Sequence, residues 1–412
     1  MIEKIYFVAG EASGDNHGAA LLQALRARVP QMQFAGRGGP KMRALAGGEF
    51  RDWIDDAAVV GLWEVIKHYG FFRAQFRHTI TEIGSANVGA VVLIDYPGFN
   101  LRLARALRAK FPALKIIYYI SPQVWAWNRS RIKKMGRWLD LMLCIFPFEP
   151  ELYNASGLYA VFVGHPMKSA LLGVDELGRA RLRRAGEREF DGSAERCPTD
   201  LEFPPARNDK LIGIFPGSRQ REVRKIFPVM RNAARILLQQ HSDLRFEIAA
   251  ASERLAEMIR AELEAAADDR GYSARDKFVV RVGDARGLMR RAQVGMVASG
   301  TATLESALAR LPFVLVYRVS WLTYFAARLV VKVKFLGMPN VLAGREIVPE
   351  FIQHRAQPRQ IASAVSRLLA EGEARAQMLR DFDEVADKLG EGEASANAAD
   401  AIVHELRTNR VG

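Results

Sequence analysis

Short apolar runs recur along this chain, each closing in a small or glycine-bearing turn that opens an amphipathic stretch. In the first half the pattern predicts strands at Ile5–Ala9, Gln33–Gly36, Gly89–Ile94, Lys115–Ile120, Leu141–Phe146 and Ala160–Val163, with helices over Asp15–Val29 and Leu101–Phe111. A second series starts at Leu211–Phe215 and continues through Phe246–Ala250, Phe278–Arg281, Val294–Ala298 and Phe313–Tyr317, with helices at 225–240, 253–268 and 303–310. Near-continuous apolar strands alternating with helices imply parallel sheets covered on both faces. The expected class is α/β with two Rossmann-like domains. Residues 1–170 form the first, 171–209 a linker with a charged insertion, and 210–358 the second. The Ala-, Glu-, Arg- and Leu-rich segment 359–412 reads as helices that pack back on the first domain or on a second subunit.

Ligands of such sheets bind at the C-terminal ends of the strands, and the segments that break the periodicity fall there. Ala9–Gly18 leads from the first strand into the first helix and carries Ser13, Asp15 and His17. It lacks the GxGxxG spacing of nicotinamide-cofactor sites; simple capping by Ser13 or Asp15 is the structural alternative. Leu93–Asn100 sets Asp95 directly after a buried strand and before a Pro97-Gly98 turn. That place suits a general base, or a carboxylate that merely caps the turn. Tyr118–Asn128 brings Gln123, Trp125 and Trp127, with Arg129, Arg131, Lys133, Lys134 and Arg137 behind them. Aromatics there line a sugar or acyl site and the cations meet phosphate, unless the tryptophans only pack between domains. Glu149 ends Phe146–Glu149, and His165 sits in a Gly-His-Pro turn that is as readily structural as functional.

In the second half, Pro216–Val223 holds Gly217, Ser218 and Arg219, and Met296–Leu308 holds Ser299, Gly300, Thr301, Thr303 and Glu305. A strand that ends at a helix N-terminus offers unpaired N–H groups backed by the helix dipole, and small hydroxylated residues leave them approachable. Glu305 is placed to accept the hydroxyls of a ribose, or to complete a capping box. Two such turns in one sheet describe a pocket for a nucleotide diphosphate, with no Walker lysine and no metal carboxylate pair. No metal and no cofactor is expected.

Composition narrows the classes. The 412 residues include 59 Lys and Arg against 46 Asp and Glu, a net charge of +13. No zinc finger, RNP-like motif or basic tail accompanies that charge, so nucleic acid is not the expected partner. An anionic membrane surface is, through two segments that mix apolar, aromatic and basic residues, 59–76 and 318–335; core packing and a subunit contact are their alternatives. No apolar run reaches the roughly 18 residues of a spanning helix. The start of the chain is too short and too acidic for a signal peptide and reads as a first buried strand. Cys144 and Cys197 make neither a disulfide framework nor a zinc spacing, which suits a reducing cytosol.

Five ordered motifs then point to a family: Gly10–Asp15, Ser121–Trp127, Phe215–Arg219, Ser299–Glu305 and Pro339–Leu342. Together they resemble those of the lipid A disaccharide synthases, from Glu3 to about Arg355. The resemblance implies the GT-B fold, two Rossmann-like domains facing each other across a cleft. It further implies an inverting, metal-independent transfer from UDP-2,3-diacylglucosamine to 2,3-diacylglucosamine 1-phosphate, giving a β-1,6-linked disaccharide and UDP. By the same resemblance Arg219 contacts the donor diphosphate, Thr301 and Thr303 the phosphates, Glu305 the ribose and Asn340 the nucleotide. Ser13, Asp15, Gln123, Trp125, Arg131 and Glu149 fall to the acceptor side. The family's Asp-x-Pro-Asp-Phe-Asn turn has Gly98 in place of its second Asp here, which leaves Asp95 as the preferred base with His17 beside it. The charged insertion at 183–207 departs from the family's short linker and receives no role. A cytoplasmic protein, peripheral on the inner membrane and forming a homodimer, is expected. The competing readings are a transferase for a polyprenyl-linked sugar in wall synthesis, a UDP-sugar epimerase, and a non-enzymatic membrane- or nucleic-acid-binding protein.

Overall fold

The computed structural model describes residues 4–54, 69–168, 207–265, 277–321 and 333–408. The chain divides into two units, residues 1–170 with 389–412, and residues 171–388. In the first unit the order is β1 (Lys4–Ala9), α1 (Ala12–Arg28), β2 (Gln33–Gly38), α2 (Pro40–Ala46), β3 (Phe50–Asp52), α3 (Tyr69–Ser85), β4 (Ala90–Ile94) and α4 (Pro97–Lys110). Then come β5 (Lys115–Tyr119), α5 (Val124–Trp127), α6 (Ser130–Met135), β6 (Leu141–Cys144), α7 (Glu149–Asn154) and β7 (Ala160–Phe162). These strands form a seven-stranded parallel sheet in the order β3-β2-β1-β4-β5-β6-β7. All five residues of β4 are buried, as a central strand covered on both faces requires.

The second unit runs β8 (Asn208–Phe215), α8 (Gln220–Gln240), β9 (Arg245–Ala250), α9 (Glu253–Ala265), β10 (Phe278–Val282), α10 (Ala285–Arg291), β11 (Ala292–Ala298) and α11 (Thr301–Leu308). It closes with β12 (Phe313–Tyr317), α12 (Met338–Ala343), β13 (Glu350–Ile352), α13 (Pro358–Leu369) and α14 (Glu373–Lys388). Its six strands are again parallel, in the order β10-β9-β8-β11-β12-β13.

The segment expected as one C-terminal block from 359 onward splits. Helices α13 and α14 belong to the second unit, while α15 (Ala394–Arg407) belongs to the first. There Ala398, Ala399 and Ile402 join Leu21, Leu22 and Leu25 of α1 in one buried cluster, and Lys115 reaches the buried Glu405 at 2.8 Å. On α3, Glu82 receives the Tyr6 hydroxyl at 2.6 Å and the buried Arg37 guanidinium at 2.9 Å, so that charge enters the interior paired.

Helix α4 starts four residues earlier than the hydrophobic pattern predicts. Pro97 is its first residue, where a missing N–H costs nothing and the fixed φ suits a helix. The expected Pro-Gly turn is therefore the first turn of a helix, and the reversal of the chain falls on Asp95 and Tyr96 instead. Of the two expected membrane segments, 59–68 and 322–332 lie outside the described residues, as does 183–206 of the charged insertion.

Candidate active site

Each sheet changes direction once. In the first, the chain runs outward from β1 to β3 on one side and from β4 to β7 on the other; in the second it does so from β8 and from β11. Crevices at such switch points, beyond the C-terminal strand ends, are where open α/β sheets take ligands. The start of α1, just after β1, carries Ser13 and His17, and the turn after β4 carries Asp95. The turns after β8 and β11 carry Arg219 and the Ser299–Glu305 segment.

Asp95 and Tyr96 both have left-handed backbones, with φ of 46° and 49°. Such a pair is costly for residues with side chains and needs support. The support is visible. The Asp95 N–H donates to the Tyr119 carbonyl at 2.9 Å, and the Asp95 carbonyl accepts the Tyr118 hydroxyl at 2.6 Å and the Asn100 amide at 2.8 Å. Gly10, at the end of β1, lacks the Cβ that would strike the Tyr96 ring. The backbone of the turn is thus fixed chiefly by groups other than the Asp95 carboxylate. Burial first, and the charge of Glu11 second, push the Asp95 carboxyl up to about 6, against a Tyr96 N–H bond that lowers it. That puts a proton acceptor near neutrality, the range in which a general base works best.

His17 is half-buried, and burial lowers its pKa. His165 lies behind it, pushed down to about 4 by burial and then by His17, with its ring 5.1 Å from that of Phe146. Ser13 is exposed in the first turn of α1, Gln123 is exposed just before α5, and Arg131 is exposed on α6.

Three acceptor-side expectations need correction. Asp15 is buried, and its carboxylate accepts the N–H groups of Gly39 at 3.0 Å, Lys41 at 3.1 Å and Met42 at 3.0 Å. It caps α2, not the helix that bears it, and offers nothing to a sugar. Trp125 is 5% exposed and donates its indole N–H to Glu149 at 2.9 Å, so its ring lines no open site. Glu149 is itself fully buried and accepts from the Ser121 hydroxyl, Trp125 and the Phe146 N–H. It ties the turn after β5 to the turn after β6. Burial pushes its carboxyl up to about 7, although those three bonds pull the other way. The side chain of Trp127 lies outside the described residues.

In the second unit, β8 and β11 are paired neighbours, with Ile214 opposite Met296 and Phe215 opposite Val297. Their turns therefore lie side by side: a Cβ on Gly217 would lie 3.8 Å from that of Ala298. Gly217 and Gly300 have φ of 106° and 142°, conformations that favour glycine and leave the backbone bare. Ser218, Arg219, Gly300 and Thr301 are exposed, with Ser299 half-buried. Arg219 pairs with Glu222 at 3.2 Å, and Glu305 with Arg286 at 3.4 Å. This is an open, polar rim at the start of two helices, with an exposed guanidinium at its edge, of the kind that takes phosphate.

Two donor-side expectations fail here on geometry. Thr303 is fully buried, and its hydroxyl donates to the Gly300 carbonyl at 2.8 Å, locking the turn from within. Asn340 is also fully buried. Its amide donates to Val348 O at 2.8 Å and Glu350 at 2.9 Å, and its oxygen accepts the N–H groups of Ile347 and Val348, both at 2.8 Å. All its hydrogen-bonding capacity is spent inside, where it shapes the turn around α12. Glu350, which the sequence did not single out, holds the same turn through the N–H groups of Leu336 and Gly337. Among the described residues no three His, Cys, Asp or Glu side chains gather as they would around a metal ion. Nor is any helix among them long and apolar enough to cross a membrane.

Comparison with known proteins gives this geometry its context. The family model described as lipid-A-disaccharide synthetase matches residues 5–182 and 195–403. The unmatched 183–194 fall within the charged insertion. Lipid-A-disaccharide synthases of Koribacter versatilis and Trichlorobacter lovleyi are 38% and 37% identical, covering 98% and 97% of this chain and 97% of each relative. Lipid-A-disaccharide synthase 1 of Legionella pneumophila is 34% identical over 98% of this chain and 97% of its own. Among solved structures, S. aureus MnaA with UDP aligns with a TM-score of 0.61 at 12% identity, covering 98% of this chain and 97% of that one. The glycotransferase of kitacinnamycin aligns at 0.58 and 12%, over 98% and 100%. The Methanocaldococcus jannaschii UDP-GlcNAc 2-epimerase, in complex with UDP-GlcNAc and UDP, aligns at 0.57 and 10%, over 97% and 99%. At such identities these structures speak to the fold alone, the GT-B type of glycosyltransferases and epimerases. Matched along nearly its whole length by the family model and by relatives above 30% identity, the chain belongs to the lipid-A-disaccharide synthase family.

Proposed function

We propose that this glycosyltransferase moves the sugar of UDP-2,3-diacylglucosamine to the 6-hydroxyl of 2,3-diacylglucosamine 1-phosphate, with inversion at the anomeric carbon. The acceptor oxygen forms the new bond to the anomeric carbon as the bond to the UDP oxygen breaks. The hydroxyl proton passes to the Asp95 carboxylate, and the bonding pair leaves with UDP. Charge that develops on the diphosphate meets Arg219 and the N–H groups at the starts of α8 and α11, donors already in place before the reaction. Glu305 accepts from the ribose. The observation that carries this reading is the pairing of β8 with β11, which sets two phosphate-type turns side by side in the second unit.

Asp95 is favoured over His17 as the base because its backbone is clamped from three sides and its carboxyl is pushed up to about 6 with no ion-pair partner described. The acylated substrates and the net charge of +13 support contact with an anionic, cytoplasm-facing bilayer. Trp321, 56% exposed beside the undescribed 322–332 segment, suits that contact. The test is UDP release from the acylated donor in mixed micelles containing EDTA, with and without the acceptor. Release that depends on acceptor and survives EDTA is expected. Turnover of plain UDP-N-acetylglucosamine without acceptor would instead support an epimerase.

A further inference from the structure

The first unit has an open cavity of about 740 Å³ between α4 and α6. Arg102 and Arg105 line it from α4, and Arg131, Lys134 and Arg137 from α6 and the residues just after it; no carboxylate is among the lining residues. Asn128 and Ser130 add neutral polar groups, and Leu101, Met135 and Trp138 an apolar floor. Among the described residues no carboxylate lies within ion-pair reach of Arg102, Arg105, Lys134 or Arg137. That contrasts with Arg108 on the same helix, which is paired to Asp140. Four cations, Arg102, Arg105, Lys134 and Arg137, converging without a described counter-charge repel one another, and an arrangement of this kind is relieved by a multiply charged anion.

The rim of the cavity includes Pro97 and Gly98, two and three residues after Asp95. Gly98 is exposed, and a Cβ there would meet nothing within 4 Å, so this wall is open where a side chain would stand. The cavity therefore reaches the first turn of α4, which directly follows the Asp95-Tyr96 turn of the same unit. In a glucosamine 1-phosphate the reacting 6-hydroxyl and the phosphate sit on one pyranose ring. A base for the hydroxyl and a site for the phosphate must then lie about one sugar apart.

We infer that the cavity between α4 and α6 binds the phosphomonoester of the acceptor sugar, with Arg102, Arg105 and Lys134 as its principal ligands. This deepens the proposed function and rests on it for the identity of the acceptor. The chemistry of the site stands apart from that reading, and its test needs no turnover. Guanidinium pairs suit a dianionic phosphate, which offers several oxygens at once, better than a singly charged phosphodiester. That sets the acceptor's phosphate above a bilayer headgroup as the occupant.

The experiment is equilibrium titration of the full chain with glucosamine 1-phosphate and, separately, with glucosamine, followed by NMR line shifts or calorimetry. Wild-type protein is expected to bind the phosphorylated sugar and to show at least a tenfold preference over glucosamine. Arg105→Gln combined with Lys134→Gln, one exposed cation from each wall, is expected to weaken the phosphorylated sugar at least tenfold and to erase the preference; Arg102→Gln alone should move it in the same direction. Unchanged binding in both variants, each with an unshifted thermal melt, would overturn the inference. So would variants that keep glucosamine 1-phosphate but lose phosphatidylglycerol vesicles, which would give the cavity to the bilayer. Failure of the UDP-release assay with this titration intact would remove the proposed reaction and leave the phosphate site.

Discussion

The two switch points share one topology and differ in how far their polar residues are withdrawn from water. At and beside the first, along the C-terminal strand ends of that sheet, titratable groups are withdrawn from water: Asp95 and Glu149 are pushed up to about 6 and about 7, and His165 down to about 4, each chiefly by burial. Backbone strain is concentrated there as well, on Asp95 and Tyr96. At the second, Ser218, Arg219 and Thr301 are exposed, and glycine supplies the turns without side-chain strain. A site that must move a proton needs a tuned pKa and therefore burial. A site that must hold a phosphate needs bare N–H groups and mobile cations, and therefore access. In the proposed function, burial goes with the proton-accepting turn of the first unit and exposure with the phosphate-holding turns of the second, on sheets that look alike.

The comparison breaks most visibly at Asp95. Asp95→Asn keeps the size and the tolerance of a left-handed backbone but cannot take a proton; turnover should fall by about 10²–10⁴. Wild-type turnover should fall as pH drops through about 6, a limb absent from the variant's residual rate. A loss below tenfold would move the base elsewhere, with His17 next. Stability carries the same signature with a definite sign. A carboxyl whose pKa is raised by folding favours the fold when protonated, so its contribution is complete below the unfolded pKa and is lost as pH rises through about 6. Asp95→Asn should then melt higher than wild type at pH 7, and the advantage should vanish near pH 4.

Arg219→Ala should lower kcat/KM for the donor roughly 10- to 100-fold, the loss of a charge-assisted contact, with the melting temperature unmoved because the side chain is 73% exposed. Glu149→Ala should do the reverse, removing about 2–4 kcal/mol of stability in denaturant titrations, since it strands buried donors on Ser121, Trp125 and Phe146. If it spared stability and abolished only turnover, Glu149 would be a direct participant in the chemistry. The smallest effect belongs to Thr303→Val, about 1 kcal/mol from one internal hydrogen bond, with UDP affinity unchanged. A lost affinity there would return Thr303 to the phosphates.

Much of this was legible in the sequence. The apolar runs that end in small turns located the strands to within a few residues, except the three-residue edge strands β3 and β13, and the turns at their ends located both switch points, because those features are local. What sequence could not show was the direction a polar side chain faces. Asp15 spends its carboxylate on N–H groups 24 to 27 residues away, and Asn340 on groups seven to ten residues away. Both look like ligand contacts until their partners are in view. Glu149 reads as a polar residue at a strand end, yet it is sealed beneath Trp125 and Phe146. Asn100 carried a signal that went unused. An amide just after the Asp95 turn is a natural clamp for strained carbonyls, and it holds those of Asp95 and Ile94.

The most direct test measures UDP affinity and turnover together for Asp95→Asn and Arg219→Ala. The division of labour predicts a crossed result: Asp95→Asn binds UDP as wild type does while turnover falls at least a hundredfold, and Arg219→Ala loses UDP affinity. Asp95→Asn with impaired UDP binding and near-normal turnover at saturating donor would contradict it.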